Sequence, residues 1–240
     1  MIVQELRKLL WDELMNLPFS VAKWDLPFGM TNYRSGIVIN FNEIECKMIG
    51  SACARSPSNA LLRSKCEALE RLISRLIRDY SSDFIINKVN RNGEVIKESG
   101  CKYSEIFRIK QNEDSTGIAL HKDLKESLQH GYFELIERSL LAEFWYGNGL
   151  PLTKANEEKL EGAVLTTWIA KLRSKTLAIC EIYDSKNGFQ TFGSAVRNKT
   201  EDAMQHSIQE VLMLYSSYNR AEFPLFHTSS VLFLTAEPNV

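Results

Sequence analysis

No apolar run in this 240-residue sequence reaches the roughly 18–20 residues that a helix needs to cross a bilayer, so no membrane role is expected. Neither sign of charge is in excess. The 29 Lys and Arg against 30 Asp and Glu leave a formal −1, which offers no basic footprint for nucleic acid. The five cysteines (Cys46, Cys53, Cys66, Cys101, Cys180) are odd in number and form no CxxC pair, and the four histidines are scattered. These counts argue against a disulfide framework and a structural zinc site; reduced, mostly buried thiols of a cytoplasmic protein are expected. There is no P-loop GxxxxGK(S/T) and no GxGxxG. What is present is an ordinary globular composition, 44% hydrophobic and 25% charged.

Patterning predicts an α/β chain of the α+β type, organised as one domain over 1–240. Leu6, Leu9, Leu10 and Leu14 give a helix over 2–15. The charges Glu5, Arg7, Lys8, Asp12 and Glu13 within it suit an amphipathic helix rather than a signal peptide. An aromatic-containing loop is expected between Pro18 and Pro27, and a strand pair over 36–49 around Asn42. Ser56-Pro57 starts a helix running to about Tyr80. A hairpin with Asn92-Gly93 as its turn follows, then strands near 105–110 and 116–120. Asp123 caps a helix to about Tyr146, stopped by Gly147 and Gly149. Residues 155–173 read as a helix, 175–183 and 189–196 as strands joined by Asn187-Gly188, and Thr200 to Tyr218 as the last helix. The tail holds one apolar run, VLFL.

The strongest pattern is a spacing. Gly50 is followed ten residues on by Ala60 and seven further by Glu67; Gly117 by Ser127 and Glu134, and Gly193 by Ala203 and Glu210, repeat those offsets. Two units also share Gly-Ser-Ala, at Gly50-Ser51-Ala52 and Gly193-Ser194-Ala195. Each unit is predicted to be a strand, a glycine turn, a short loop and a long helix carrying the glutamate. A fixed spacing is a stronger signal than one motif. Three units with unequal connections indicate duplication inside a globular domain.

The helices carry the chemistry. Glu67 and Glu70 precede Arg71, and Glu134 and Glu137 precede Arg138. Each pair stands at i and i+3 on one helical face, with the arginine at i+4. The intervening residues are small or apolar, so the acids border a core face, where charge is costly unless a cation compensates. Mg²⁺ takes carboxylate oxygens and shares them with phosphates. An isolated ExxER is usually a solvated face whose i,i+4 pair adds about 0.3–0.5 kcal/mol. Two copies in register with a glycine-led repeat favour a shared metal site. The third helix offers Glu210 alone, since Met213 and Leu214 follow it. His130 and His206 stand four residues before Glu134 and Glu210, where the first helix has Arg63; each histidine alone has a structural default.

Residues 112–145 join a Ser-Thr-Gly-x-Ala turn (Ser115 to Ala119) to His-Gly-x-x-Glu-x-x-Glu-Arg (His130 to Arg138). This stretch resembles the central signature of the YcaO family. Residues 50–72 resemble the family's first helix and 191–213 its third, so the resemblance covers about 35–220. It implies an ATP fold unrelated to the P-loop, in which Glu67, Glu70, Glu134, Glu137 and Glu210 hold Mg²⁺ against the triphosphate. Ser51 and Ser115 at the glycine turns, and Arg55 and Arg197 after them, are implied phosphate contacts, ranked below the glutamates. Arg71, Arg138 and His130 complete the implied ATP-binding set, with i,i+4 pairing an equally good role for the two arginines.

The implied reaction is ATP-dependent phosphorylation of a peptide amide oxygen. An azoline ring follows when a Cys, Ser or Thr side chain adds, and a thioamide when sulfide adds, in the modification of a ribosomally made peptide. Implied partners are the peptide substrate, a protein for leader recognition or sulfur delivery, and a second copy in a homodimer. This sequence departs from the family pattern at Arg63, where a serine is expected and Ser64 lies one place over. It departs again at Met213, often glutamine. Those departures keep a second expectation open, a non-catalytic scaffold or binding subunit. No single catalytic residue is assigned.

Overall fold

The computed structural model describes residues 11–41, 44–79, 85–89, 95–102, 119–147, 149–218 and 231–234. After a short helix α1 (Trp11–Met15), the chain builds a sheet around β2 (Met30–Phe41). β1 (Ser20–Leu26) pairs antiparallel with Met30–Gly36, and β3 (Ile44–Ala54) pairs antiparallel along the length of β2 from Phe41↔Ile44 to Thr31↔Ala54. β10 (Val231–Leu234), the VLFL run, lies parallel to Val38–Phe41. The expected strand pair is therefore β2 and β3. β1 corrects the expectation of an aromatic loop. Val21 and Lys23 are exposed while Ala22 and Trp24 are buried, a two-residue period that the flanking prolines obscure.

Helix α2 (Pro57–Asp79) begins as expected, with Ser56 Oγ accepting the Asn59 N–H at 3.4 Å. Its inner face buries Ala68, Leu69 and Leu72 against Ile37, Ile39 and Cys46, and Leu14 of α1 joins this core. Lys65 ties α1 down by donating to the Met15 carbonyl at 2.7 Å. β4 (Ile85–Val89) and β5 (Val95–Lys102) form the expected antiparallel hairpin, whose Asn92-Gly93 turn lies outside the described residues. The strands expected near 105–110 and 116–118 also lie outside them, and Ala119 and Leu120 have no regular structure. α3 (Leu124–Tyr146) starts where Asp123 Oδ1 accepts the Glu126 N–H at 3.1 Å, and stops at Gly147.

A second sheet is the antiparallel meander β6 (Thr153–Leu160), β7 (Ala163–Leu172), β8 (Lys175–Asp184) and β9 (Phe189–Arg197). It corrects the helix expected over 155–173. Leu160 pairs with Ala163 across Glu161-Gly162, and Gly162 takes φ +79°, a conformation that suits glycine and would interrupt a helix. β6 is rich in helix formers, but β7 holds it as an edge strand, and pairing overrides propensity. The β8–β9 turn ends at Gly188 (φ +62°), and Asp184 braces it by accepting the Lys186 and Asn187 N–H groups at 3.0 and 3.2 Å.

β8 is covered on both sides. Leu177 and Ile179 join the α3 core with Phe133, while Cys180 and Ile182 join the α4 (Thr200–Tyr218) core with Val211 and Leu212. Met30 and Cys53 of the first sheet enter the α4 core too, which welds the two halves. Among the described residues, no helix is long and apolar enough to cross a membrane.

Two units of the repeat, the first and the third, superpose in their packing, and their glycines are not turns. Gly50 and Gly193 lie within β3 and β9. A Cβ on Gly50 would meet the Ser64 carbonyl at 2.1 Å and the Ala68 nitrogen at 2.3 Å; on Gly193 it would meet the Val211 nitrogen at 2.3 Å and the Ser207 carbonyl at 2.5 Å. Glycine is required because a helix backbone presses onto the strand. The spacing encodes that contact. Gly117 lies outside the described residues.

Candidate functional site

Seating α2 and α4 on strand glycines brings their acids to one place. Where α2, α3 and α4 meet over β3 and β9 lies a cavity of about 520 Å³, within the range of small-molecule sites. Glu67, Glu70, Glu134, Glu137 and Glu210 all line it. The i, i+3 spacing that put each acid pair on one helical face thus turns both pairs inward.

The acids stitch the repeats together. Glu67 accepts the Ser51 N–H at 2.7 Å within its own unit, and Arg71 at 2.5 Å. Glu70 accepts the Leu120 N–H at 2.6 Å from the second unit, and Glu137 accepts the Ser194 hydroxyl at 2.6 Å from the third. Burial pushes the Glu67 carboxyl up, against the pull of Arg71. Burial also pushes Glu137 up, opposed first by the Ser194 hydroxyl. Glu70 is pushed to about 7 by burial, then by the charges of Glu67 and Glu134, although the Leu120 N–H opposes this. Glu210 is likewise pushed to about 7 by burial and by Glu67 and Glu137, with Arg63 and Arg197 opposing. Carboxylates this close raise one another and are relieved by a cation.

Basic groups line the cavity as well. Arg63, His130, Arg197 and His206 line the same cavity. His206 is lowered to about 3 by burial, then by Arg197, Arg63 and His130. His130 is lowered by burial, then by Arg197, Arg63 and His121. Arg197 donates to the Val196 carbonyl at 2.7 Å and sits 5.4 Å from the Phe133 ring. Among the described residues, neither Arg63 nor Arg197 makes an ion pair.

Of the residues singled out in the sequence, Ser51, Arg71, Arg138, Arg197 and His130 line the cavity with the five glutamates. The Ser51 N–H is engaged by Glu67, and its hydroxyl accepts Arg34 Nε at 3.3 Å. Arg71 pairs with Glu67 and donates to the Ile49 carbonyl at 2.8 Å. Arg55 is exposed and is not among the lining residues, and Ser115 lies outside the described residues. Sequence reasoning missed Ser194, although the shared Gly-Ser-Ala matched it to Ser51. It also missed Gln209, which accepts Arg63 Nη1 at 2.9 Å; no spacing marked it.

The donor set fits a hard cation and a polyanion together. Among the described residues, no three His, Cys, Asp or Glu side chains stand close enough to form a metal cage. Mg²⁺ needs none, because it is held by one or two carboxylates and completed by phosphates. Carboxylates and arginines without ion pairs, lining one cavity together, suit a metal-neutralised polyphosphate.

Comparison with known proteins agrees. Residues 109–218 match the model of the YcaO family, described as YcaO cyclodehydratase, ATP- and Mg²⁺-binding. Two solved structures share the fold. YcaO from Methanopyrus kandleri bound with AMPPCP and Mg²⁺ aligns at TM-score 0.64 and 11% identity, over 93% of this chain and 70% of that one. A heterocyclase in complex with substrate and cofactor aligns at TM-score 0.57 and 13% identity, over 88% of this chain and 40% of that one. No curated protein matches. Residues 109–218 of this chain are thus similar to the YcaO family, and the described fold is shared with solved YcaO structures.

Proposed function

We propose that this chain, acting as one YcaO-like domain over 1–240, binds Mg-ATP in the cavity and activates a peptide backbone amide by O-phosphorylation. The product is an azoline or a thioamide. The observation that carries the reading is the convergence of all five helix glutamates on one cavity that also displays Arg63 and Arg197. In this reading Glu67, Glu70, Glu134, Glu137 and Glu210 hold the cation, while Arg197, Arg138 and His130 face the phosphates. Arg71 orients Glu67 through their ion pair. Bound ATP supplies the phosphoryl group that makes the amide oxygen a leaving group. The protein contributes position and charge neutralisation.

Calorimetric titration with Mg-ATP tests this. Saturable binding that requires Mg²⁺ is expected, weakened about 100-fold or more by Glu67→Ala and by Glu134→Ala, each of which removes a buried charged partner. Absence of binding to the wild type overturns the reading. Met213, where the family often has glutamine, favours one alternative: a non-catalytic scaffold or binding subunit without turnover. That alternative predicts Mg-ATP binding without phosphate release when peptide is supplied together with its partner proteins.

A further inference from the structure

The position four residues before each first glutamate is occupied by Arg63, His130 and His206 in the three repeats. The fold turns all three into one cavity, beside Arg197. The first helix thus supplies a permanent cation at a repeat position where the other two supply imidazoles. Arg63 is aimed, too. Its Nη1 donates to Gln209 Oε1 of α4 at 2.9 Å and to the Cys53 carbonyl of β3 at 3.4 Å. Gln209 is itself buried, 5% exposed. Both bonds leave through Nη1, so Nε and Nη2 have no partner among the described residues. A guanidinium fixed at one nitrogen, on a residue that lines the cavity, suits a bidentate phosphate contact through its other donors.

We propose that Arg63 is a phosphate-contacting residue of this chain, with Gln209 as the positioning residue that holds it. The ligand class is a polyphosphate carried with a divalent cation. This inference rests on the Mg-ATP reading above and adds to it the residue that selects for the phosphate chain. Arg63 and Arg197 come from two different repeats and line one cavity, so added phosphates can draw on both.

Titrations with Mg-ATP, Mg-tripolyphosphate and adenosine test it. Arg63→Ala should weaken Mg-ATP and Mg-tripolyphosphate about 10- to 100-fold, the effect of losing a charged hydrogen bond, and leave adenosine unchanged. Arg63→Lys should fall between, keeping the charge and losing the fork. Gln209→Leu should cost less than Arg63→Ala, and its effect should vanish in the Arg63→Ala background, an outcome that a merely structural glutamine would not give. Thermal unfolding of each variant separates loss of fold from loss of contact. If wild-type protein binds Mg-ATP and Arg63→Ala binds it equally well, the role of Arg63 is overturned and the Mg-ATP reading stands. If wild-type protein binds neither phosphate probe, both fall.

Discussion

Gly50 in β3 and Gly193 in β9 face helix residues at the same offsets. Ser64, Glu67 and Ala68 stand above the first; Ser207, Glu210 and Val211, the same 14, 17 and 18 residues on, stand above the second. Both seat serines are fully buried and donate to the carbonyl three residues back, Ser64 to Leu61 at 2.8 Å and Ser207 to Met204 at 2.9 Å. Yet the helices are equipped differently. α2 carries Arg63, Glu67, Glu70 and Arg71, whereas α4 carries His206, Glu210 and Met213. The comparison teaches that this duplication holds packing geometry fixed and lets the chemistry on it vary. Among the helix residues that line the cavity, only the glutamate directly above the glycine is common to both.

The sharpest way to break the comparison is to fill the seats. Gly50→Val and Gly193→Val would each drive a Cβ into helix backbone at 2.1–2.3 Å, and backbone cannot move aside as a flexible side-chain tip can. Each should destabilise the fold by about 3 kcal/mol or more, read as a shift in the urea midpoint. Equal losses would mean that the seats are energetically as well as geometrically equivalent. A small loss at either would refute the close-packing account of the spacing.

Much of this was legible beforehand, for a physical reason. A glycine forced by helix–strand contact leaves a fixed offset to the residue above it, so the spacing identified Glu67 and Glu210 for a physical reason. It did not show that the glycine sits mid-strand, because close contact and a turn demand the same residue. β6 misled because Thr153–Leu160 is built of helix formers and only its pairing with β7 makes it a strand. The contacts from Glu70 to Leu120 and from Glu137 to Ser194 span repeats. They depend on how the units meet, which local pattern does not contain.

A milder test compares the second acid of the first repeat with the single acid of the third. Glu70 and Glu210 are both pushed to about 7 from an ordinary 4.5. Charged neighbours of Glu70 are Glu67, Glu134 and Arg71; those of Glu210 are Glu67, Glu137, Arg63 and Arg197. A carboxyl raised on folding binds its proton more tightly in the native state, so stability falls as pH rises from about 4.5 through 7 and then levels off. The ligand-free protein should lose stability progressively across that window from these two groups. Urea unfolding of Glu70→Gln/Glu210→Gln, compared with the wild type at pH 5.5 and 8, isolates their share. Mg-ATP affinity should rise over the same window as the protons leave. A pH-independent difference between the two proteins would show that the acids are not raised.

The smallest effect addresses the second repeat. Among the described residues α3 has no glycine seat. Its ties are the Asp123 cap, the Glu137–Ser194 bond and the packing of Phe133, Ile136 and Leu140 on the second sheet. Asp123→Ala removes the carboxylate that accepts the Glu126 N–H and should cost about 1 kcal/mol. Ser56→Ala at the start of α2 should cost less, because both caps are exposed but that one is uncharged and longer, 3.4 Å against 3.1 Å. The informative reading is where the loss appears. If α3 is held more locally than its neighbours, amide exchange in Asp123→Ala should quicken along the first turns of α3 and stay unchanged in α2 and α4. Equal quickening in all three helices would mean that the acid-lined cavity unfolds as one cooperative unit. The bonds that Glu70 and Glu137 make between repeats would then bind the second helix as firmly as the glycine seats bind the other two.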